Sequence, residues 1–260
     1  MEKIKQIFII GAPRSGTTII AQAIDCNPIF KIYDEVFLLK NNELTDIFLK
    51  NKNIFNKFDN LVKSGKSISD SIISTMQDHV GEGIIWGEKM PDYSFIVDDI
   101  NKEYPDSVFV FVMRDPRRIA KSYFNYKDSE FRVDGDYWIS DSFPKALDII
   151  QRSLKPLDVH RDNLITIRYE EFVSNPVNAL NRSFKPFNLV FSKKMLKNIG
   201  PLESFGDPGG QFLDNGKVLP WKQENFNNIK EQKDIELPED VYLSSAWKEI
   251  EALAHSLGYK

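Results

Sequence analysis

One segment near the N-terminus has the spacing of a loop that binds phosphate. Residues 11–18 read Gly-Ala-Pro-Arg-Ser-Gly-Thr-Thr and stand between an apolar run and an apolar helical pattern. The spacing matches the pattern G-x-x-x-x-G-K-[ST], except that Thr17 occupies the lysine position. In such a loop the backbone N–H groups and the helix dipole attract an anion, and the glycines permit the turn. Arg14 adds a planar, bidentate cation from within the loop.

The missing lysine bears on the kind of donor that this loop can serve. In nucleoside-triphosphate enzymes that lysine reaches the β- and γ-phosphates, and Mg²⁺ is held by the Ser/Thr and a separate carboxylate. Here the apolar run at residues 107–113 is followed first by Arg114 rather than by an aspartate. The sequence therefore favours a donor with less charge at the transferred group, which needs no metal, over ATP.

A second candidate anion site follows that apolar run. Asp115 and Pro116 suit the N-cap and the first position of a helix, which places Arg114 at the end of a strand. Ser122 then lies about two turns into the helix. We expect Arg114 and Ser122 to hold a second phosphate, separate from the phosphate at residues 11–18 and about a nucleoside's width away.

The elements that position these residues predict one α/β domain, residues 1–260, with a central parallel sheet of about five strands flanked by helices. The predicted strands are residues 6–10, 29–33, 83–87, 107–113 and 164–167. The predicted helices are residues 16–26, 116–126, 144–159, 176–187 and 239–256. Charged residues follow every predicted strand, and open parallel sheets bind ligands beyond the carboxyl ends of their strands. We therefore expect these charged side chains to meet at one edge of the sheet.

Composition excludes several other classes of protein. The chain has 260 residues, of which 42% are hydrophobic and 28% charged, which is ordinary globular usage and excludes a disordered chain. A net charge of −4 argues against nucleic acid or an anionic membrane as a partner. The single cysteine, Cys26, permits no intramolecular disulfide, and no apolar run approaches a membrane span. We expect a soluble, cytoplasmic protein with no metal site.

At these motifs the sequence resembles the sulfotransferases that use 3′-phosphoadenosine 5′-phosphosulfate (PAPS). Residues 11–18 resemble their 5′-phosphosulfate loop, and Arg114 with Ser122 resembles their 3′-phosphate motif. Residues 86–91, Trp-Gly-Glu-Lys-Met-Pro, resemble a short block between the two, and residues 169–173 resemble the Tyr-Glu-x-Leu segment after the fifth strand. The motif pattern is most similar to tyrosylprotein, carbohydrate and bacterial members. The resemblance implies a P-loop NTPase-like fold and the product adenosine 3′,5′-bisphosphate (PAP).

The resemblance also implies a role for each matching residue. Lys89 is expected near the bridging oxygen of the donor, and Arg114 and Ser122 at its 3′-phosphate. The residues expected to bind the nucleotide are Arg14, Ser15, Gly16, Thr17, Thr18, Arg114, Ser122, Tyr169 and Lys217. Lys217 is the candidate for the basic residue that closes over the nucleotide in this family, although no motif identifies it.

The general base is assigned through the same resemblance. In tyrosylprotein sulfotransferases the base is a glutamate after the second strand, and alignment of residues 27–35 puts Glu35 at that position. The catalytic set is then Glu35, Lys89 and Arg14. Asp34 is expected to point elsewhere, because neighbouring side chains of an extended chain face opposite sides.

The sequence leaves the acceptor and two other functions open. Residues 41–82, 127–143 and 203–223 are polar segments expected on the acceptor side or as lids. The acceptor carries a hydroxyl, and we favour a small hydroxylated metabolite or a glycan. The alternatives are a P-loop kinase with an altered loop, which would require ATP and Mg²⁺, and a nucleotide-binding scaffold that has lost catalysis. The oligomeric state is left open.

Overall fold

Five parallel strands form the sheet on which the site is built. The computed structural model describes residues 4–35, 52–127, 142–197, 199–200, 202 and 236–260. The strands are β1 (Gln6–Gly11), β2 (Phe30–Asp34), β3 (Ile85–Lys89), β4 (Ser107–Met113) and β5 (Leu164–Arg168), in the spatial order β2-β3-β1-β4-β5. Each lies within two residues of its predicted bounds. The predicted α/β fold with a five-stranded parallel sheet is confirmed.

Helices connect the strands and cover both faces of the sheet. Their bounds are α1 (Thr17–Asp25), α2 (Lys52–Lys63), α3 (Ile68–Val80), α4 (Val97–Glu103), α5 (Pro116–Lys127), α6 (Phe143–Ser153), α7 (Tyr169–Ser174), α8 (Pro176–Phe184), α9 (Lys193–Leu196), α10 (Glu239–Leu243) and α11 (Ser245–Ser256). Short 3₁₀ helices span Pro91–Phe95, Lys155–Leu157 and Lys185–Phe187.

The central strand β1 is buried on both faces, which explains its unbroken apolar sequence. Ile7 and Ile9 pack on one face in a cluster with residues of α1 and α8, whereas Phe8 and Ile10 pack on the other face with residues of α2 and α3. Neighbouring strands approach closely here, because a Cβ at Gly87 would lie 1.8 Å from the carbonyl oxygen of Ile7.

The chain order reverses at β1, and this reversal defines where a ligand can bind. β2 and β3 lie on one side of β1, and β4 and β5 lie on the other. All strands are parallel, so their carboxyl ends share one edge of the sheet. A crevice outside this edge, at the point where strand order reverses, is the usual ligand site of open α/β sheets.

Several helix predictions need correction. The predicted helix at residues 239–256 is two helices, because Ser244 adopts an extended conformation and its hydroxyl accepts the backbone N–H of Trp247 as the N-cap of α11. The helices predicted at residues 144–159 and 176–187 end earlier, at Ser153 and Phe184, and each is followed by a 3₁₀ turn. Two helices, α2 and α3, occupy much of the segment 41–82, where the sequence analysis predicted only a polar segment.

Candidate functional site

The phosphate-type loop links β1 to α1 through residues with positive φ. Gly11 has φ 145°, Arg14 φ 66° and Gly16 φ 98°. Gly16 is the N-cap of α1 and provides no side-chain acceptor for the first-turn N–H groups, including those of Thr17 and Thr18. The start of α1 therefore has the backbone donors and the partial positive charge of an anion site.

The hydroxyl of Ser15 is a buried polar atom under this loop. The side chain is fully buried, and its Oγ has no hydrogen-bond partner among the described residues. The Ser15 backbone N–H is engaged within the loop, where it donates to the carbonyl of Ala12 at 3.0 Å. A buried hydroxyl without a partner costs free energy, and a ligand oxygen is one group that satisfies it.

Tyr169 lies against both candidate anion motifs. A Cβ on Gly16 would fall 2.2 Å from Cδ2 of the Tyr169 ring, so this ring occupies the space that the glycine leaves. The guanidinium of Arg114 lies over the same ring, 4.4 Å from its centroid. The sequence-predicted residue Tyr169 therefore joins the loop to the end of β4.

The two arginine motifs are in direct contact. Arg14 donates from Nε to Oγ of Ser122 at 3.2 Å, and Arg114 donates from Nη1 to the carbonyl oxygen of Arg14 at 2.7 Å. Tyr123 also donates its hydroxyl to the carbonyl of Pro13 at 3.0 Å. The Arg14 side chain therefore bridges the loop and Ser122. Both motifs lie at the same edge of the sheet, and the separation of the two anions by about a nucleoside's width stays a prediction.

Arg114 is a buried cation. Its residue surface is 6% exposed, and burial lowers the pKa of its guanidinium, with partial compensation by Tyr169 and Glu170. An arginine still remains charged at neutral pH. A buried charge of this kind gains from an additional anion beside it.

Residues around the turn after β4 fix the position of Arg114. Asp115 accepts the backbone N–H of Arg117 at 2.9 Å, which confirms it as an N-cap of α5. The Asp115 backbone N–H donates to Oε1 of Glu170 at 3.0 Å, and the hydroxyl of Tyr259 donates to Oε2 of Glu170 at 3.3 Å. Sequence reasoning missed the roles of Glu170 and Tyr259. The Tyr-Glu segment was the only available signal for Glu170, and no signal pointed to Tyr259.

On the other side of β1, Lys89 is paired with two carboxylates. Its Nζ lies 2.7 Å from Oδ1 of Asp34 and forms a second ion pair with Oε1 of Glu35. Glu35 has φ 49°, and its N–H donates to the Lys89 carbonyl at 3.0 Å, so the chain turns directly after β2. The expectation that Asp34 points elsewhere is wrong, because this left-handed residue ends the extended alternation and both carboxylates reach one ammonium.

The carboxylates determine the charge state of Lys89. Burial alone favours the neutral amine, but the charges and hydrogen bonds of Asp34 and Glu35 outweigh it and raise the pKa of Lys89 above its usual value. Lys89 is therefore an ammonium at neutral pH, buried at 1% exposure, while the Glu35 side chain is 34% exposed. The site holds a fixed cation beside a carboxylate that solvent can reach.

The remaining sequence-predicted residues divide between these two groups. Arg14, Ser15, Gly16, Thr17 and Thr18 lie on the loop and the start of α1, and Glu35 and Lys89 lie at the ends of β2 and β3. Lys217 lies outside the described residues. The described part of the chain contains no group of three or more His, Cys, Asp or Glu residues arranged to hold a metal ion. None of the described helices is both long enough and apolar enough to cross a membrane.

The fold and the loop together define an α/β protein of the P-loop type. The model of the sulfotransferase family matches residues 6–192, which include all four motif segments, at residues 11–18, 86–91, 114–122 and 169–173. The chain therefore belongs to the sulfotransferase family. A comparison with curated protein sequences finds no match.

Solved structures of sulfotransferase domains share the fold. The sulfotransferase domain from the Synechococcus PCC 7002 olefin synthase superposes with a TM-score of 0.60 at 18% identity, covering 98% of this chain and 94% of that chain. The sulfotransferase domain from the curacin biosynthetic pathway superposes with a TM-score of 0.61 at 16% identity, covering 100% of this chain and 99% of that chain. At these identities the similarity establishes the common architecture.

Proposed function

We propose that this protein transfers the sulfuryl group of PAPS to the hydroxyl of an acceptor. The observation that carries the proposal is the placement of two arginine motifs and a Lys89–Glu35 ion pair along one edge of the sheet. The arginine motifs supply cations and backbone donors for a nucleotide with more than one anionic group. The ion pair supplies a carboxylate for a proton and a cation for developing negative charge.

The residues present fit this donor. The buried Ser15 hydroxyl and the uncapped start of α1 suit the 5′-phosphosulfate, and Arg114 and Ser122 suit the 3′-phosphate that distinguishes PAPS from ATP. Arg14 belongs to the loop and contacts both residues of the second motif, since its Nε donates to Ser122 and its carbonyl oxygen accepts from Arg114. The Arg114 guanidinium stacks over the ring of Tyr169, which helps to hold it in place. We also assign Lys217 to the nucleotide, and residues 41–82, 127–143 and 203–223 to the acceptor side.

The chemistry divides between the donor and the protein. The donor supplies an activated sulfuryl group, whose S–O bond to the 5′-phosphate breaks as the acceptor oxygen bonds to sulfur. Glu35 takes the proton of the acceptor hydroxyl, which makes that oxygen a stronger nucleophile. Lys89 and Arg14 place positive charge where negative charge builds on the leaving phosphate. No step requires a metal. The acceptor that we favour is a small hydroxylated metabolite or a glycan.

Ligand binding separates this proposal from its main alternative. Thermal unfolding is measured with PAP, with ATP and Mg²⁺, and with neither ligand. Because a ligand at 100 times its dissociation constant adds about 2.7 kcal/mol of stability, PAP should raise the melting temperature by roughly 5–10 °C for a domain of this size. A shift with ATP and Mg²⁺ alone would instead indicate a kinase-like protein.

Turnover separates it from an inactive scaffold. Radiolabelled PAPS is incubated with a panel of phenols, alcohols, sugars and a tyrosine peptide, with and without EDTA. We expect labelled product from at least one acceptor and the same rate in EDTA. Binding of PAP without transfer to any member of a broad panel would favour a nucleotide-binding scaffold.

A further inference from the structure

Asp34 forms an enclosed ion pair with Lys89. The two residues end neighbouring parallel strands and are paired in register across β2 and β3. Oδ1 of Asp34 lies 2.7 Å from Nζ of Lys89, and the two side chains are 3% and 1% exposed. Surface pairs of this type contribute little, but removing one partner of a buried pair leaves an uncompensated charge in a medium that solvates it poorly.

Glu35 pairs with the same ammonium, but its side chain is more exposed to solvent than that of Asp34. Its side chain is 34% exposed, and its own backbone is left-handed, with φ 49°, so Glu35 stands outside the regular strand β2. The Lys89 ammonium is therefore paired with two carboxylates. That of Asp34 is enclosed, whereas solvent, and hence an acceptor, can reach that of Glu35. This asymmetry assigns different tasks to the two acidic residues.

A proton acceptor that was also the only counter-ion of Lys89 would work poorly. Protonation of Glu35 would leave a buried ammonium without an opposite charge, and the ammonium would hold Glu35 in its ionised form. A second, permanent carboxylate removes this penalty, because Lys89 keeps a partner when Glu35 becomes neutral. Asp34 is the residue placed to provide it.

On the basis of the proposed function, we propose that Asp34 is a positioning residue for sulfuryl transfer, the fixed counter-ion that keeps Lys89 charged and in place while Glu35 exchanges its ion pair for a proton. The acceptor O–H bond breaks and its proton goes to Glu35. The oxygen electron pair forms the new bond to sulfur. The S–O bond to the 5′-phosphate breaks, and its electron pair stays on the phosphate.

The first test separates turnover from binding. We expect Asp34→Asn to lower kcat about 10–100-fold, which is less than the about 10²–10⁴ that a general base itself contributes, because Asp34 acts only through Lys89. The measurement is transfer from PAPS to p-nitrophenol, or to the best acceptor of the panel. The Kd of PAP, measured by calorimetry, and the KM of the acceptor should change less than about 3-fold, because Asp34 acts through Lys89. The control, Asp98→Asn, breaks an ion pair of 2.6 Å with Arg161 at the surface and should change neither quantity.

The second test is a double-mutant cycle that needs no turnover. Lys89→Met leaves two carboxylates without their cation, and Asp34→Asn leaves the cation with one carboxylate. Because Asp34 and Lys89 interact, Asp34→Asn should lower the melting temperature of the wild-type protein. The same substitution should raise the melting temperature of the Lys89→Met variant. Additive changes in the melting temperature would overturn the pairing.

The outcomes distinguish this inference from the proposed function. An inactive wild-type protein contradicts the proposed function, and the role of Asp34 falls with it. An active wild-type protein with unchanged kcat in Asp34→Asn contradicts the role of Asp34 alone. Asp34→Ser, which leaves room for a water beside Lys89, is measured in parallel in case the asparagine does not pack. The same loss of kcat is expected from it, and wild-type turnover in Asp34→Ser would overturn the inference.

Discussion

Two buried cations stand on opposite sides of β1 and respond to burial in opposite ways. Lys89 has two carboxylates in direct contact, and its pKa rises above its usual value despite burial. Arg114 donates to a carbonyl oxygen and lies over an aromatic ring, and burial lowers its pKa. The difference lies in the compensation of charge, since both side chains are almost completely enclosed.

The difference indicates a division of labour within the site. Lys89 is paired with two carboxylates, so it keeps a counter-ion when Glu35 takes a proton. At Arg114 burial outweighs the neighbouring charges and lowers the pKa, so this side gains from a bound anion. Removing the carboxylate of Glu35 should therefore affect turnover, whereas removing the guanidinium of Arg114 should affect nucleotide binding.

The largest expected effect is on turnover, from a change at Glu35 beside Lys89. Glu35→Gln keeps the shape of the side chain but removes its ability to accept a proton, and a positioned general base contributes about 10²–10⁴ in rate. We expect kcat to fall at least ~100-fold, while the Kd of PAP changes less than about 3-fold. Initial rates with PAPS and calorimetry with PAP measure the two quantities.

A surface glutamate provides the control for this prediction. Glu249→Gln removes an exposed carboxylate on α11, a helix that supplies no residue of the proposed site, and should leave both quantities unchanged. Equal turnover of Glu35→Gln and the wild-type protein would remove Glu35 from the mechanism and would break the division between the two sides.

The next effect is on the arginine side. Arg114→Met keeps much of the apolar stem but removes the guanidinium, and hydrogen bonds to charged groups contribute about 1.5–3 kcal/mol. We expect the Kd of PAP to rise ~30-fold, with little loss of folding stability because a buried charge is also removed. Arg118→Met, at an exposed position on α5, should change the Kd less than about 3-fold. Unchanged PAP affinity in Arg114→Met would contradict the assignment of this side to the nucleotide.

A smaller effect is expected from the glycine that admits the tyrosine ring. Gly16→Ala forces a side chain to within 2.2 Å of the Tyr169 ring, which must then move away from Arg114. We expect the Kd of PAP to rise ~10-fold, in addition to the roughly 1–2 kcal/mol cost of a left-handed alanine. Gly65→Ala has a similar φ of 91° with open space around it and should show the stability cost without the loss of affinity. Equal affinities in the two variants would remove Tyr169 from the binding site.

The sequence predicted the places of Lys89 and Arg114 in the fold, because each follows an apolar run. β4 is apolar throughout and is followed at once by Arg114, and Lys89 is the last residue of β3. The convergence of Asp34 and Glu35 was not predictable from the same pattern, because alternation along a strand sends neighbours to opposite sides. A left-handed glutamate is needed to bring them together, and its backbone bond to Lys89 comes from a residue distant in sequence.

The helices show the same limit at a larger scale. The polar character of residues 41–82 concealed α2 and α3, although Ile54 with Phe58 and Ile72 with Met76 have the i, i+4 spacing of a buried helix face. A continuous apolar stripe predicted one helix over residues 239–256, whereas the local capping by Ser244 divides it. Local hydrogen bonds and backbone turns therefore determine where helices begin and end, which hydrophobic periodicity alone does not predict.

The smallest expected effect is that of Tyr259, whose hydrogen bond to Glu170 helps to hold the backbone next to Arg114. Tyr259→Phe removes the hydroxyl that donates to Glu170, whose other oxygen accepts the N–H next to Arg114. We expect the Kd of PAP to rise ~2–3-fold and stability to fall by about 1 kcal/mol, the net value of one hydrogen bond. Tyr242→Phe removes a hydroxyl that accepts the N–H of Leu237 at 3.2 Å, so it should cost a similar amount of stability without loss of PAP affinity. Equal PAP affinity in the two variants would mean that Tyr259 contributes to folding alone. Glu170 would then position Arg114 without help from the Tyr259 hydroxyl.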